Sequence, residues 1–244
     1  MKSSMQQDYY TSLIAVWRVR TRYNAAVRNP WSELPAQSPY VLDIDRPSID
    51  KYNAIHHNDE KVIVESIPEP FIGNPQCAKV VLLSLNPGHS ADDAIAHSDG
   101  DFRKAMMRNL RHEAQECPFY ALNPKFGWTA CGAWWKAHTS KLHKAGLSWE
   151  AISNGLLVIE WFPYHSKTSG LPIKPLCPSQ EYSFQLAREM LETKIVVGMR
   201  SKKFWLNAAP TVQNIPFLKN PQNPHISPAN AGAELFDRIV EALR

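Results

Sequence analysis

The chain has 244 residues, with 27 Lys and Arg against 23 Asp and Glu, and 44% of its residues are hydrophobic. This composition is typical of a globular protein and excludes a disordered or collagen-like chain. No apolar run reaches the roughly 18 residues that a membrane span needs, and the first 30 residues contain no apolar segment of a signal peptide. The net charge of +4 permits a nucleic-acid partner without requiring one.

The cysteines and histidines form neither a disulfide pattern nor a metal pattern. No cysteines are paired as C-x-x-C or with histidine at zinc-finger spacing, which indicates reduced thiols in a cytoplasm. The histidine pairs lack a third ligand. These residues are Cys77, Cys117, Cys131, Cys177, His56, His57, His138 and His143. We therefore predict a cytoplasmic protein with no metal and no cofactor.

The N-terminal part of the chain differs in composition from the rest. Residues 6–28 show an apolar stripe at helical spacing, surrounded by arginines, which predicts a helix whose basic face is either solvated or in contact with phosphates. Residues 29–75 are rich in proline and predict an irregular wrapping segment with one short strand at 61–66. We divide the chain into an N-terminal helix and extension, residues 1–67, and an α/β domain, residues 68–244, which together form one compact unit.

Four short apolar runs follow at wide intervals, at residues 79–85, 156–162, 194–197 and 212–218. Apolar runs that end near Gly or Pro are typical of buried parallel strands. Helical patterns occupy residues 101–116, 128–145, 179–192, 201–207 and 231–243. The alternation predicts an α/β, three-layer fold with a central, mainly parallel four-stranded sheet flanked by helices. Because ligands bind beyond the carboxyl ends of such strands, we expect the site at residues 86–90, 160–167 and 220–227.

The first predicted strand ends in a motif suited to holding a ligand, Ser-Leu-Asn-Pro-Gly-His at residues 84–89. Pro87 fixes the turn, and Gly88 allows a backbone or a ligand to approach closely. An asparagine held rigidly at Asn86 can orient a water molecule or bind an amide-like ring. The alternative is an ordinary turn that leads from a strand into a loop.

A second motif follows the last predicted strand, Asn-Pro-Gln-Asn-Pro-His-Ile-Ser-Pro at residues 220–228. Its prolines stiffen the loop, and Ile226 is its one aliphatic side chain. A rigid loop with an apolar tip is suited to opening a base stack, which costs a few kcal/mol. The alternative is a proline-rich surface loop.

Taken as a pair, the two motifs resemble those of the uracil-DNA glycosylase superfamily, most closely its mismatch-specific uracil/thymine-DNA glycosylase branch. The order of the motifs and their placement at strand ends agree with that family. The resemblance covers about residues 68–244 and does not extend to residues 1–67. It implies a DNA-binding hydrolase, a monomer without metal or redox cofactor, that removes a base from DNA.

The resemblance implies catalytic roles for three residues. Asn86 falls where this branch has the asparagine that positions the attacking water; many relatives have aspartate there, so we expect only modest general-base power. Asn220 falls where some relatives have a histidine that stabilises the departing base. The second motif does not match the family in length, so His225 is an alternative for this role, and it could also contact DNA, as could Asn223.

The strand at residues 156–162 departs from the family pattern in an informative way. Uracil-specific relatives carry an asparagine that recognises the edge of the base, and Glu160 occupies that position here. An ionised glutamate only accepts hydrogen bonds, so it favours a base with an exocyclic amine over the O4 atom of uracil. A modified cytosine is the leading candidate. The alternative is a structural salt bridge from Glu160 to a cation such as Lys167.

The remaining expected contacts are with the base and with DNA. Ser84 joins Glu160 in the predicted base-binding group, and Phe119 and Tyr120 either stack on a flipped base or pack in the core. Residues 164–167 follow a strand and either contact a phosphate or form an ordinary loop. The full set of predicted DNA contacts is Pro87, Gly88, His89, His165, Lys167, Asn223, Ile226 and Ser227.

The sequence is compatible with three functions. The leading one is a DNA glycosylase that flips a damaged or modified base, in repair or in defence against modified foreign DNA. The second is a non-catalytic module of the same fold that binds a modified base. The third is a hydrolase of free nucleosides, against which the stiffened loop argues because a free nucleoside needs no wedge.

Overall fold

A computed structural model describes residues 28–167 and 170–244. Its centre is an open four-stranded sheet of mixed direction. The strands are β1 (Phe71–Gly73), β2 (Val80–Ser84), β3 (Leu156–Glu160) and β4 (Ile195–Gly198), and their order across the sheet is β1-β3-β2-β4. The strands β3 and β4 both pair with β2 in parallel, and β1 pairs with β3 antiparallel. The fold class α/β is therefore confirmed.

The two central strands are continuous apolar runs because both faces of the sheet are covered there. Every residue of β2 and β3 is buried, as expected for parallel strands. The register places Ser84 opposite Glu160. Residues opposite each other in a parallel ladder point to the same face of the sheet, so the last positions of these two strands present their side chains together.

The described helices are α1 (Arg46–Ile55), α2 (Asp93–Ser98), α3 (Gly100–Leu110), α4 (Ala130–Lys144), α5 (Trp149–Gly155), α6 (Gln180–Met190), α7 (Lys202–Ala208), α8 (Pro228–Ala231) and α9 (Ala233–Leu243). Five of these described helices match helices predicted from the sequence, namely α3, α4, α6, α7 and α9. The predicted helix at residues 6–28 lies outside the described residues, apart from Arg28.

The fourth strand is not where the sequence predicts it. Residues 212–218 do not form a strand, because Pro210–Asn214 is a 3₁₀ helix and only Phe217 bridges to Gly198 beside β4. The fourth strand is β1 instead, which lies in the segment predicted to be irregular. The strand predicted at residues 61–66 is reduced to one isolated bridge between Ile63 and His165.

The hydrophobic core extends from the sheet into the proline-rich segment. The buried side chains Trp31, Tyr40, Ile49 and Tyr52 belong to the same core cluster as the strands. Tyr164 connects the two parts, since its hydroxyl donates a hydrogen bond to Asp45 (2.7 Å). Within the described part of the chain, no helix is both long and apolar enough to cross a membrane.

Candidate active site

A cavity of about 250 Å³ opens at the carboxyl ends of β2, β3 and β4, where the topology predicts a ligand site. Its volume lies below the roughly 300–1,000 Å³ that is usual for drug-sized ligands, so it suits a group the size of one nucleobase. Its lining includes Glu69, Ser84, Asn86, Pro87, Gly88, His89, Asp93, His97, Phe102, Thr129, Ala130, Cys131, Trp134, Glu160, His165 and Arg200. The structure thus brings the first motif and Glu160 together.

Asn86 lines the cavity with its amide held in one orientation. Its Nδ2 atom donates to the Pro87 carbonyl oxygen (3.0 Å) and to Ser166 Oγ (3.0 Å). The carbonyl can only accept, which fixes which end of the amide is the nitrogen. With both amide hydrogens engaged, the Oδ1 atom is the group left to accept a hydrogen bond from water.

Glu160 is a buried carboxyl group at the floor of the cavity. Its side chain hydrogen-bonds with Ser84, and its Oε2 atom is buried with no partner among the described residues. Burial raises the pKa of Glu160 to about 8, and the charge of Glu69 also raises it, against the Ser84 hydrogen bond and the charge of Arg200, which lower it. The carboxyl is therefore mostly neutral at pH 7.

A neutral Glu160 offers a base a different set of hydrogen bonds from an ionised one. An ionised carboxylate, as expected from the sequence, only accepts hydrogen bonds and repels the O4 atom of uracil. A protonated carboxyl has one donor and one acceptor, so the expected repulsion is absent. The alternative of a salt bridge to Lys167 is wrong, because Lys167 Nζ pairs with Asp59 (3.1 Å) on the surface.

A hydrogen-bonded network lies behind the floor. Both ring nitrogens of His165 face carbonyl oxygens, Nδ1 that of Gly88 (2.6 Å) and Nε2 that of Ile67 (2.9 Å). Glu69 lies beside the ring, with its Oε2 atom 3.8 Å from Nε2. Burial raises the pKa of Glu69, whereas the charge of His165 and a hydrogen bond from Tyr120 lower it. His165 was predicted to contact DNA, but it is buried and fixes the Gly88 turn instead.

Three potential metal ligands converge beside this network. One nitrogen or oxygen atom from each of His89, Asp93 and His165 lies within 4.8 Å of the others. However, each His165 nitrogen already faces a carbonyl oxygen, and both oxygens of Asp93 accept from Ser90, at 2.7 and 3.1 Å. The contacts favour a hydrogen-bonded network over a metal centre, and the absence of a metal stays a prediction.

A column of stacked side chains reaches the wall of the cavity, where Arg200 and Trp134 are lining residues. The Arg200 guanidinium lies 5.3 Å from the ring centre of Trp134, and the Trp134 ring stacks on His138 (3.7 Å, 18°). His138 stacks in turn on His225 (4.2 Å, 8°). Trp134 and His138 are one helical turn apart on α4, which places them on the same face. The column connects the second motif with the cavity.

The second motif itself does not line the cavity. The Asn220 Oδ1 atom accepts from the backbone nitrogens of Gln222 and Asn223 (3.1 Å each), so it stabilises a turn within its own loop. Ser227 caps α8. The buried Asn230 holds the loop in shape, because its Nδ2 atom donates to the carbonyl oxygens of residues 223 and 225. Of the predicted catalytic residues, the structure brings only Asn86 to the cavity.

Three further predictions are corrected by burial. Ile226 is 1% exposed, so it is not the apolar tip of a wedge. Phe119 packs edge-on against Trp135 (4.9 Å), and Tyr120 hydrogen-bonds with Glu69. Phe119 and Tyr120 are buried in the core and do not line the cavity, so they are not placed to stack on a flipped base.

Several residues that line the cavity were not predicted from the sequence. Arg200 comes two residues after β4, so the rule about strand carboxyl ends could have found it. Glu69 stands between two prolines directly before a buried strand, where an acidic residue is costly unless it has a partner. Trp134 showed only the spacing of an ordinary buried helix face, and nothing in the sequence separates it from a core residue.

No family model matches this chain, and no curated protein or solved structure matches it at a significant level. The resemblance to uracil-DNA glycosylases consequently rests on the two motifs, and the chemistry rests on the cavity.

Proposed function

We propose that this protein is a DNA glycosylase of the uracil-DNA glycosylase type, which binds one flipped base in the cavity and hydrolyses its N-glycosidic bond. The observation that carries the proposal is the convergence of Asn86 and Glu160 in a cavity of nucleobase size at the carboxyl ends of the strands. The proposal includes the three-layer arrangement of that family, a DNA partner, a monomeric state and no cofactor.

In the proposed reaction, Asn86 holds the attacking water through its free Oδ1 atom. The bonds from Nδ2 to Pro87 and Ser166 preorganise this oxygen, so that water is positioned without a further loss of entropy. The amino end of α4 supports the departing base, since Thr129, Ala130 and Cys131 line the cavity there. The partial positive charge at a helix amino terminus stabilises negative charge as it develops on the base.

The proposed base-binding group consists of Glu160, Ser84 and Trp134. Glu160 meets the hydrogen-bonding edge of the base, and Trp134, whose ring is stacked between Arg200 and His138, contributes to the cavity wall beside it. A modified cytosine remains the leading substrate, since a substituent on the ring would distinguish it from normal cytosine. Such an activity fits repair of damaged DNA and also defence against foreign DNA with altered bases. Four free thiols fit a reducing compartment, and we propose the cytoplasm.

Duplex opening needs an apolar group at the mouth of the cavity, and Ile226 is buried. Two strongly exposed side chains are next to lining residues: Trp128 (54% exposed), directly before Thr129, and Ile95 (62%), directly before Ala96. We assign the wedge role to this pair. Lys167 is exposed, and its surface pair with Asp59 contributes little stability, so it remains available to a phosphate.

The wedge assignment predicts that Trp128→Ala lowers base release from duplex DNA by about tenfold and from single-stranded DNA by less than twofold, because only the duplex must be opened. Ile95→Ala is expected to act in the same direction. Ile55→Ala is the matched control, since Ile55 is 70% exposed but does not line the cavity. Single-turnover assays on both substrates measure the ratio, and equal losses on both would remove these residues from the role.

A non-catalytic binding module is the second candidate, and the amide at Asn86 favours it because an amide is not a general base. One screen separates the two functions. Labelled oligonucleotides that carry uracil, hypoxanthine or modified cytosines are incubated with the protein, with free nucleosides alongside, and abasic sites and released bases are measured. We expect abasic DNA from at least one modified base. Tight binding without abasic product would establish the module instead, and release from nucleosides alone would establish a nucleoside hydrolase.

A further inference from the structure

Glu160 presents to the cavity a carboxyl group whose hydrogen bonding is incomplete. The carboxyl lies at the floor of the cavity and is 6% exposed. Ser84 bonds with the side chain, and the Oε2 atom has no partner among the described residues. A buried polar atom without a partner is costly and therefore uncommon. Its position in a cavity indicates that a ligand supplies the missing partner.

The surroundings keep a proton on Glu160. The charge of Arg200, which follows β4, favours the ionised form of Glu160 and lowers its pKa. The charge of Glu69, which precedes β1, favours the protonated form and raises the pKa. Cys131 at the start of α4 is a neutral thiol, because burial and the charges of Glu69, Asp93 and Glu160 raise its pKa. No cation within ion-pair distance of Glu160 is present in the described part of the chain. Burial is consequently the dominant influence on the carboxyl.

We propose that Glu160 acts as a general acid, which binds the amidine edge of an amino-bearing base and transfers its proton to the ring nitrogen as the glycosidic bond breaks. This inference rests on the proposed glycosylase function and adds to it the role of the acid and the class of base. An amidine edge is an exocyclic amine beside a ring nitrogen that carries no hydrogen, as in cytosine and adenine. The C=O group of the carboxyl accepts from the amine, and its O–H group donates to the ring nitrogen.

The step balances without any co-reactant besides water. The bond between C1′ and the base nitrogen breaks, and its electron pair stays on the base. The proton of Glu160 moves to the ring nitrogen of the amidine edge, so that the base leaves neutral. Water held by Asn86 forms the new bond to C1′, and the proton that it loses restores the carboxyl. The products are an abasic sugar and a free base.

Uracil separates base binding from acid catalysis. Its O4 and N3–H groups match the O–H and C=O groups of a neutral carboxyl, so it can bind in the same place. Its ring nitrogen already carries hydrogen, so the O–H group meets O4, which is a much weaker base than the ring nitrogen of an amidine. We therefore expect release of amidine bases to depend on the acid more strongly than release of uracil.

The test is a single-turnover pH profile with duplexes that carry 5-hydroxymethylcytosine, 5-methylcytosine, adenine or uracil. We expect release of an amidine base to fall as the pH rises through about 8, where Glu160 loses its proton. Glu160→Gln keeps the shape and both hydrogen bonds but cannot transfer a proton. It should lower the rate at pH 6–7 by about 10²-fold, within the usual range for general acids, and abolish the decrease near pH 8. Glu150→Gln, at an exposed glutamate on α5, should behave like wild type.

A stability measurement tests whether Glu160 keeps its proton in the folded protein, and it does not depend on enzymatic activity. Between the ordinary pKa of 4.5 and the raised pKa of about 8, only the folded state keeps the proton, so rising pH destabilises the wild type. Glu160→Gln lacks this penalty, and its denaturation midpoint relative to wild type should be higher at pH 8 than at pH 5. An unchanged difference between the two pH values would overturn the inference.

The outcomes of the two measurements distinguish the inference from the function on which it rests. If the wild type releases base and Glu160→Gln has the same rate and pH profile, the proposal of general acid catalysis is contradicted, and the proposed glycosylase function is kept. If the wild type releases no base from any substrate, both the glycosylase function and general acid catalysis are contradicted.

Discussion

Asn86→Ala is expected to lower the rate of base release by about 10²- to 10³-fold while DNA binding stays within about threefold of wild type. The variant loses the oxygen that holds the attacking water, and misplacing a reacting group by even 1 Å can cost about 10²-fold. The amide nitrogen bonds with Pro87 and Ser166, so it is engaged within the protein and not directed at a DNA strand. Single-turnover kinetics and a binding titration measure the two effects separately.

Two further variants control this experiment. Asn207→Ala removes an exposed asparagine on α7 and should leave the rate unchanged. Asn86→Asp adds a carboxylate, which can take a proton from water, but it cannot donate a hydrogen bond to the Pro87 carbonyl, so its rate should lie between those of Asn86→Ala and wild type. A near-normal rate for Asn86→Ala would exclude Asn86 from the mechanism.

His165→Ala is expected to lower the free energy of unfolding by about 1–3 kcal/mol, the usual cost of leaving a buried hydrogen-bonding group without its partner. The substitution removes the ring that contacts the carbonyl oxygens of Ile67 and Gly88 and lies beside Glu69. The turn after Asn86 then loses its anchor, so activity should fall together with stability. Urea denaturation followed by intrinsic fluorescence measures the change.

His57→Ala is the control for that substitution, because His57 is exposed and should change stability by less than about 0.5 kcal/mol. A loss for His165→Ala no larger than that of the control would mean that the ring does not anchor the turn at Gly88.

The sequence was most informative about the fold where one physical signal dominated. The strands β2, β3 and β4 are buried apolar runs, and each was predicted to within about two residues. The strand β1 has only three residues, too few for a periodic pattern, and its place is decided by pairing with Ile159 and its neighbours. The strand predicted at residues 212–218 does not form, because Asn214 and Pro216 interrupt the apolar run. The chain forms a 3₁₀ helix and one bridge there instead.

The candidate site was predictable only for residues at the carboxyl end of a strand or just after it. Asn86, Glu160 and Ser84 were found in this way, and the cavity contains all three. Tertiary packing decided the rest. Ile226 lies in a polar loop, and it is held against α4 by the bond from its backbone nitrogen to the His138 carbonyl oxygen (3.0 Å). The protonation of Glu160 also depends on burial, which no local pattern contains.

The most direct test of the glycosylase proposal is base release in water enriched in ¹⁸O. DNA carrying a modified cytosine is incubated with the protein, and both products are analysed by mass spectrometry. Hydrolysis of the glycosidic bond predicts a free, unlabelled base and one ¹⁸O atom on the C1′ carbon of the abasic sugar. Intact DNA that is bound without release of base would contradict the proposal, and so would ¹⁸O found in the base, which would indicate attack on the ring instead of the sugar.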